Sequence, residues 1–351
     1  MEAGRSSSQP HGASYGAAGN FSPDAVAASM ARGDGGFGRD QQTYFDHPVL
    51  RKGHWGWEIV WYFFVGGAAA SSSALATLAA RGGDPADAEL VRNGRYAALA
   101  GSAISSVLLV LDLGRPERFL NMLRIFKLKS PMSVGVYTLI SFSTGAGFAA
   151  LEQARADGLV PFPVGPLVAL TRPVRALTAT VSTAFMGSYT GVLIAATAIP
   201  LWYTGRRHIP AIFACSAMTS GAALQSLLLA LFGGSPRTAK KLETVELVAS
   251  LAEAALLVAY ERHAGELGGP LFKGKRGAKL KTWTLGLGIA LPALLNVPSV
   301  LSRKPPTKHH RVRTVLTSSL ALFGGYVLRE AFIQAGRDSA DDPRAYLRHP
   351  E

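Results

Sequence analysis

Polar side chains that could bind a ligand or move protons gather where two apolar segments meet. One segment ends at Asp112, the turn that follows carries Arg115, and the next segment begins at Pro131 and places Tyr137 in its first turns. Polar groups at membrane depth must be satisfied internally or by a ligand, because lipid offers no hydrogen bonds. The sequence therefore predicts a functional site at this corner between the second and third apolar segments.

Each of these groups also has a structural interpretation. Asp112 and Arg115 are close enough in sequence to form a salt bridge at a helix end, and Tyr137 could anchor its segment at the membrane interface. The functional interpretation is a phenol that donates a hydrogen bond to a quinone carbonyl. Both interpretations stay open at the level of sequence.

A second pair of polar residues begins the first apolar segment. Glu58 and Tyr62 lie one helical turn apart, at a depth similar to that of the corner. A carboxylate at this position could accept a proton from a quinol. The alternative is a hydrated glutamate at the membrane interface.

The sixth apolar segment is more polar than the others. Glu246 and Glu253 are seven residues apart and therefore lie on nearly one face of a helix. Carboxylates inside a span are costly and usually face the bundle interior or a water path. We consider a proton path through them, while structural pairing with Arg329 accounts for the same pattern equally well.

The composition predicts an all-α polytopic membrane protein. Of 351 residues, 48% are hydrophobic and 17% are charged, and the charges cluster in the tails and between long uncharged blocks. Blocks of about 20 apolar residues are long enough to cross the hydrocarbon core. Eight spans are expected, at about 58–80, 96–113, 131–151, 177–203, 209–232, 242–260, 283–301 and 315–333. A disordered tail at 1–43 and a polar tail at 337–351 flank the transmembrane domain at 44–336.

The net charge of +13 has a simpler explanation than nucleic-acid binding. Lysine and arginine lie between the hydrophobic blocks, where they set orientation and contact anionic lipid. Near the span ends, 18 basic residues belong to the face that carries both termini and 14 to the opposite face. The count favours a multi-pass protein of the cell membrane with cytoplasmic termini and no nucleic-acid partner.

The redox ligands of a membrane cytochrome are missing from the sequence. None of the eight histidines lies in the middle of a predicted span, whereas a membrane cytochrome b needs axial histidines within its bundle. The single cysteine, Cys215, provides no disulfide framework, zinc spacing or iron–sulfur motif. We expect no haem and no metal in this chain, so metal-centre redox chemistry would come from a partner.

Several motifs of this chain are together typical of one protein family. They are Trp-Glu-Ile at 57–59 with Tyr-Phe-Phe-Val-Gly-Gly at 62–67, Asp-Leu-Gly-Arg-Pro at 112–116, Ser-Pro-Met-Ser-Val-Gly-Val-Tyr at 130–137, and Tyr-Thr-Gly-Val-Leu at 189–193 near Pro-Leu-Trp at 200–202. With these motifs the chain resembles the NrfD family, the membrane subunits of polysulfide-reductase-type complexes. The resemblance covers about residues 44–336.

The resemblance implies a haem-free subunit of eight helices in two four-helix bundles. It implies binding of menaquinol or ubiquinol, and electron exchange with a four-cluster, ferredoxin-like iron–sulfur subunit that serves a molybdopterin or other catalytic subunit. The quinone pocket of the family carries over to Glu58, Tyr62, Asp112, Arg115 and Tyr137. Some members place a histidine or asparagine in the first turns of the first helix, where this chain has Glu58 and Tyr62.

Two other functions compete with a quinone-linked subunit of a respiratory oxidoreductase. The carboxylates of the sixth segment are compatible with a proton-coupled secondary transporter, although paired discontinuous helices or repeat halves are not evident. The third possibility is a purely structural membrane anchor that binds no quinone.

Overall fold

The computed structural model describes residues 55–115, 117–124, 126–161, 170, 183–302 and 310–342, and every regular element within these residues is helical. The α-helices are α1 Trp57–Gly82, α2 Ala88–Asp112, α3 Arg118–Arg124, α4 Pro131–Ala156, α5 Thr183–Ala195, α6 Pro200–Thr204, α7 Ile209–Phe232, α8 Pro236–Ala264, α9 Gly269–Phe272, α10 Gly274–Lys279, α11 Leu291–Leu301 and α12 His310–Asp341. A π-helical stretch, Leu280–Ala290, joins α10 to α11. The all-α prediction is confirmed for this part of the chain.

Five helical stretches are long and apolar enough to cross a membrane. They are Trp57–Gly82, Pro85–Asp112, Pro131–Ala156, Ile209–Phe232 and Gly274–Leu301. The protein is therefore a multi-pass membrane protein. α8 and α12 are longer still, with 29 and 32 residues, but they carry more charged side chains. The count of eight spans and their division into two four-helix bundles stay predictions.

The predicted fourth span is interrupted near its end. Of the range 177–203, residues 177–182 lie outside the described residues; α5 then stops at Ala195, and the short helix α6 starts at Pro200. Proline has no backbone N–H and pushes the residue before it out of the helical region, and Ile199 is accordingly extended, with φ −67° and ψ 124°. The continuous helix expected from the sequence is thus replaced by two helices.

The structure bears on the predicted C-terminal tail but not on the predicted N-terminal tail. Residues 1–43 lie outside the described residues, so the expected disorder there stays a prediction. α12 continues to Asp341, beyond the expected end of the last span near residue 333. The first residues of the predicted polar tail are therefore helical.

Small residues let the helices approach closely, as is typical inside membranes. A Cβ on Gly101 of α2 would lie 2.5 Å from the Cβ of Ala69 on α1. A Cβ on Gly288 would lie 2.7 Å from the Cα of Gly324 on α12. In α5, a Cβ on Gly191 would lie 2.7 Å from the Cα of Pro210 on α7, whereas Gly187 has open space around it.

We define the corner face as the end of the bundle where α1 begins, α2 ends and α4 begins. Aromatic side chains join several helices there: Trp55 stacks on Trp202 with ring centroids 5.2 Å apart. The Trp202 indole donates a hydrogen bond to the Phe332 carbonyl (3.0 Å), and the Tyr260 hydroxyl donates to the Leu201 carbonyl (2.6 Å). This face is therefore rigidly cross-linked around its aromatic core.

The opposite face is the end where α1 ends, α2 begins and α8 begins. Lys241 of α8 bonds Asp84 (3.1 Å) and Asp87 (2.7 Å) in the turn between α1 and α2. The Thr238 hydroxyl donates to the Asp87 carboxylate at 2.6 Å. This polar clamp fixes the direction of α8, which runs from the opposite face towards the corner face.

Candidate functional site

The corner predicted from the sequence is built by a helix stop and a helix start. Gly114 has φ +64°, a backbone conformation that glycine adopts without steric cost, and it ends the helix that Asp112 closes. Asp112 is half-buried and Arg115 is exposed. α4 then starts with the Ser130 hydroxyl accepting from the Ser133 N–H. The motif thus folds as a turn that carries its charged groups at the membrane surface.

Tyr137 faces α3 rather than the centre of the bundle. Its hydroxyl donates a hydrogen bond to the Leu123 carbonyl at 2.8 Å, and its ring meets Phe126 edge to face at 4.8 Å. A phenol has one O–H to donate, so in this arrangement it is used by the backbone. The anchoring interpretation describes this geometry directly, and a hydrogen bond to a ligand would require Tyr137 to exchange its partner.

Tyr62 offers a hydroxyl in the interior at the start of α1. The side chain is only 2% exposed, and its hydroxyl makes no hydrogen bond to another described residue. The phenols of Tyr62 and Tyr189 lie within electrostatic range of each other. Tyr62 is therefore a buried donor whose neighbours are mainly aromatic.

Tyr189, which the sequence did not single out as a site residue, links α5 to the corner. Its hydroxyl donates to the Pro131 carbonyl at 2.7 Å, and a Cβ on Gly135 would overlap its phenol ring. The glycine therefore makes room for the ring against the first turns of α4. The only available signal was its position in the Tyr-Thr-Gly-Val-Leu motif.

Glu58 lies one turn before Tyr62 and is half-buried. Its carboxylate folds back over Gly56 at the start of α1, where a negative group is favoured by the helix dipole. Glu58 and Tyr62 therefore lie one turn apart on α1, and Tyr189, which is near Tyr62 and bonds the Pro131 carbonyl, connects them to the start of α4. Tyr137 turns to α3, and Arg115 stays at the surface.

On α8, Glu243 belongs to a closed polar network near the opposite face. It is 1% exposed, its carboxylate pairs with Arg313 at 3.0 Å, and the Ser299 hydroxyl donates to it at 2.8 Å. Each carboxylate oxygen therefore has a partner on α11 or α12.

Glu253 is buried beside Arg329, and a serine lies between them. Arg329 donates to the Ser216 hydroxyl oxygen (3.0 Å), the Phe63 carbonyl (3.2 Å) and the Gly325 carbonyl (2.6 Å). The hydroxyls of Ser216 and Thr219 are within hydrogen-bonding reach of the Glu253 carboxylate. Pairing with Arg329, the structural alternative considered from the sequence, thus describes the surroundings of Glu253.

Glu246 has a different environment. It is 2% exposed, and neither carboxylate oxygen has a hydrogen-bond partner among the described residues. The two glutamates that share a helix face in the sequence are therefore not equivalent in the structure.

A family model described as "Polysulphide reductase, NrfD" matches residues 49–337, most of the chain. The chain belongs to the NrfD family. A comparison with curated proteins gives no match. The match includes the corner and the glutamates of α8, so the protein is a membrane subunit of the polysulfide-reductase type.

This NrfD chain also contains an apolar cavity away from the polar corner groups. The cavity has a volume of about 540 Å³ and lies between α1, α2 and α7. Its walls include Val65, Ala68, Ala97, Ile104 and Leu228. Such a lining offers hydrocarbon contact rather than acid–base chemistry.

Proposed function

We propose that this chain is the haem-free, quinone-binding membrane subunit of an oxidoreductase complex. The observation that carries the proposal is the buried Tyr62 hydroxyl, which makes no hydrogen bond to another described residue and lies one turn from the Glu58 carboxylate. Membership of the NrfD family supports the same role.

The residues at the start of α1 fit a menaquinone or ubiquinone ring. Such a ring needs apolar walls, a hydrogen-bond donor at one carbonyl and a proton acceptor when quinol is oxidised. Tyr62 has the donor, Tyr189 and Phe63 have aromatic faces nearby, and Glu58 has the acceptor. Donor and acceptor come from one helix, so their spacing is set by a single turn.

Bound quinol would supply the electrons and protons of the reaction. In this proposal the Tyr62 hydroxyl donates a hydrogen bond to one ring oxygen, and a Glu58 carboxylate oxygen takes up the two protons of the quinol one after the other. Because Glu58 is only half-buried, it can pass each proton to water at the corner face. Tyr137 holds α3 against α4 and contacts the ligand only after releasing Leu123, while Asp112 and Arg115 form the wall at the end of α2.

The electrons must leave through a partner, because the single cysteine of this chain cannot hold an iron–sulfur cluster. We propose a four-cluster, ferredoxin-like subunit docked on the corner face, followed by a molybdopterin or other catalytic subunit. The proposed setting is the respiratory chain of a cell membrane, with both termini cytoplasmic.

The test uses the intact complex purified from its native host in mild detergent. Tyr62→Phe removes one hydrogen bond of roughly 1.4 kcal/mol and should raise the KM for quinol about tenfold. Glu58→Gln should lower kcat and change its pH profile. Quinol-dependent reduction of the partner's clusters is read by low-temperature EPR.

Tyr326→Phe is the matched control, because this tyrosine packs on the rings of Trp61 and Phe64 and is not one of the proposed ligand-binding residues. Unchanged quinol oxidation in both corner variants, with the complex intact, would overturn the site assignment. A complex that assembles but binds no quinone would identify a structural anchor. Solute uptake by proteoliposomes holding this chain alone would identify a transporter.

A further inference from the structure

Three of the buried polar side chains that have unpaired polar atoms lie on the helices α8, α11 and α12. Both carboxylate oxygens of Glu246, Oδ1 of Asn296 and Oγ of Ser318 make no hydrogen bond to any residue that the structure describes. The three side chains are 2%, 2% and 0% exposed. Buried polar groups are nearly always hydrogen-bonded, since leaving them unpaired is costly. These atoms therefore require partners other than the described side chains.

The contacts of Glu243 place Asn296 at the level of Glu246. Ser299 donates to Glu243, and Lys240 donates to the carbonyl of Ser302. Contacts that advance along α8 from Lys240 to Glu243 therefore go back along α11 from Ser302 to Ser299, so the two helices are antiparallel. Asn296 is one turn before Ser299, and Glu246 is one turn after Glu243. Both steps lead the same way along the bundle.

Ser318 reaches the same level from α12. Thr314 lies 3.5 Å from Glu243, and Arg329, further along α12, lies beside Glu253. α12 therefore runs parallel to α8. Ser318 is one turn after Thr314, as Glu246 is one turn after Glu243. Glu246, Asn296 and Ser318 consequently lie at one level of the bundle, on three different helices.

Glu246 also has no counter-ion among the described residues of this layer. α7 and α11 contain no Asp, Glu, Lys or Arg. The charged groups that face it from α8 and α12 are Glu243 with Arg313, and Glu253 with Arg329. Each arginine is already held by its own partners. A buried carboxylate without a partner is strongly disfavoured, so Glu246 is held as a neutral acid.

We propose that Glu246 is the proton-carrying group of an internal water site that Asn296 and Ser318 complete. Water can donate to the free oxygens of this layer and accept from the neutral carboxyl group, which satisfies all three side chains. The site is distinct from the quinone corner and does not rest on the quinone chemistry.

The site exchanges protons with the opposite face. Glu246 lies about 15 Å along α8 from its first residue. The pair of Glu243 and Arg313 lies between Glu246 and the opposite face. The Arg313 side chain is 26% exposed, and its buried Nε has no partner among the described residues. Water bound there connects Glu246 to the surface. Glu253 is left out of this site, because Ser216, Thr219 and Arg329 already surround its carboxyl group.

The experiment is carbodiimide labelling of the full chain in native membranes, mapped by peptide mass spectrometry. A hydrophobic carbodiimide adds to a protonated carboxyl group, and the stable acylurea product carries the mass of the whole reagent. We expect the label on Glu246, with a yield that falls as the pH is raised through a series. Glu246→Gln should abolish this label, and Glu253→Gln, the matched control on the same helix face, should leave it unchanged.

Infrared spectroscopy provides a second readout that needs no reagent. The C=O band of a protonated carboxyl group should be present in the wild type, be sensitive to deuterium exchange and be lost in Glu246→Gln. Asn296→Leu should shift that band to higher frequency, because the water site loses a polar wall.

Three outcomes would overturn the proposal. They are a label on Glu253 but not on Glu246, a carboxyl band that survives Glu246→Gln, and protection of Glu246 by sodium chloride but not by potassium chloride. The last result would identify a sodium site rather than a proton site.

Discussion

Replacing Arg329 with methionine is expected to destabilise the protein by about 3–5 kcal/mol, the cost of leaving a buried charge without its partner. Arg329 is 1% exposed and donates to Phe63, Ser216 and Gly325. Methionine fills much of the same volume but removes every one of these donors. The Glu253 carboxylate then loses the positive charge beside it.

The assay is unfolding of the detergent-solubilised chain by titration with sodium dodecyl sulfate, followed by tryptophan fluorescence. Glu253→Gln is made alone and together with Arg329→Met. Since the double variant leaves no uncompensated charge, it should be more stable than Arg329→Met alone. The coupling energy of the double-mutant cycle is expected to be about 2 kcal/mol.

Lys281→Met is the control for loss of a basic side chain. Its Nζ bonds the Glu261 carboxylate at 3.0 Å on an exposed surface, where an ion pair contributes little. The reasoning would be refuted if Arg329→Met moved the unfolding midpoint no further than Lys281→Met. It would also be refuted if the effects of Arg329→Met and Glu253→Gln were additive.

Two further predictions concern the corner and the clamp. Gly135→Ala should lower the free energy of unfolding by about 1–3 kcal/mol in the same assay, because the added Cβ would overlap the Tyr189 ring. Gly147→Ala is the control and should cost nothing, because there is open space around Gly147. Equal unfolding midpoints for the two variants would contradict this prediction. A hydrogen bond from a backbone N–H of the same turn, and then the Lys241 ammonium, lower the pKa of Asp84. The ionised carboxylate therefore stabilises the folded state fully at a pH above the ordinary carboxyl pKa, and this stabilisation is lost as the pH falls through the lowered pKa. Acid should therefore lower the protection of the turn between α1 and α2 against deuterium exchange, once uptake is corrected for the slower intrinsic exchange at low pH. Asp84→Asn should remove that pH dependence of the protection; an unchanged profile would refute the assignment.

The sequence alone determined that this chain is helical and crosses a membrane several times. Long uncharged blocks have few alternatives, because a helix satisfies its own backbone hydrogen bonds in lipid. It also located the turn after Asp112, since a glycine can end a helix in a conformation that other residues rarely adopt, as the positive φ of Gly114 shows.

The break between α5 and α6 shows where local reasoning was insufficient. The sequence predicts that Pro200 lies near the end of a continuous span, but in the structure it begins a separate helix. The partners that make this break tolerable come from distant segments: Ser339 binds the Leu201 N–H, and Phe332 binds the Trp202 indole. No pattern around residue 200 contains that information.

The tertiary structure alone decided which polar groups are paired. Glu246 and Glu253 look alike in sequence, yet Glu253 lies beside Arg329 and Ser216, whereas Glu246 has no described partner. Tyr137 is likewise held by a backbone carbonyl of α3. The chemical state of a buried group depends on neighbours from other helices, and the register of those helices is set by packing across the whole bundle rather than by the residues next to it.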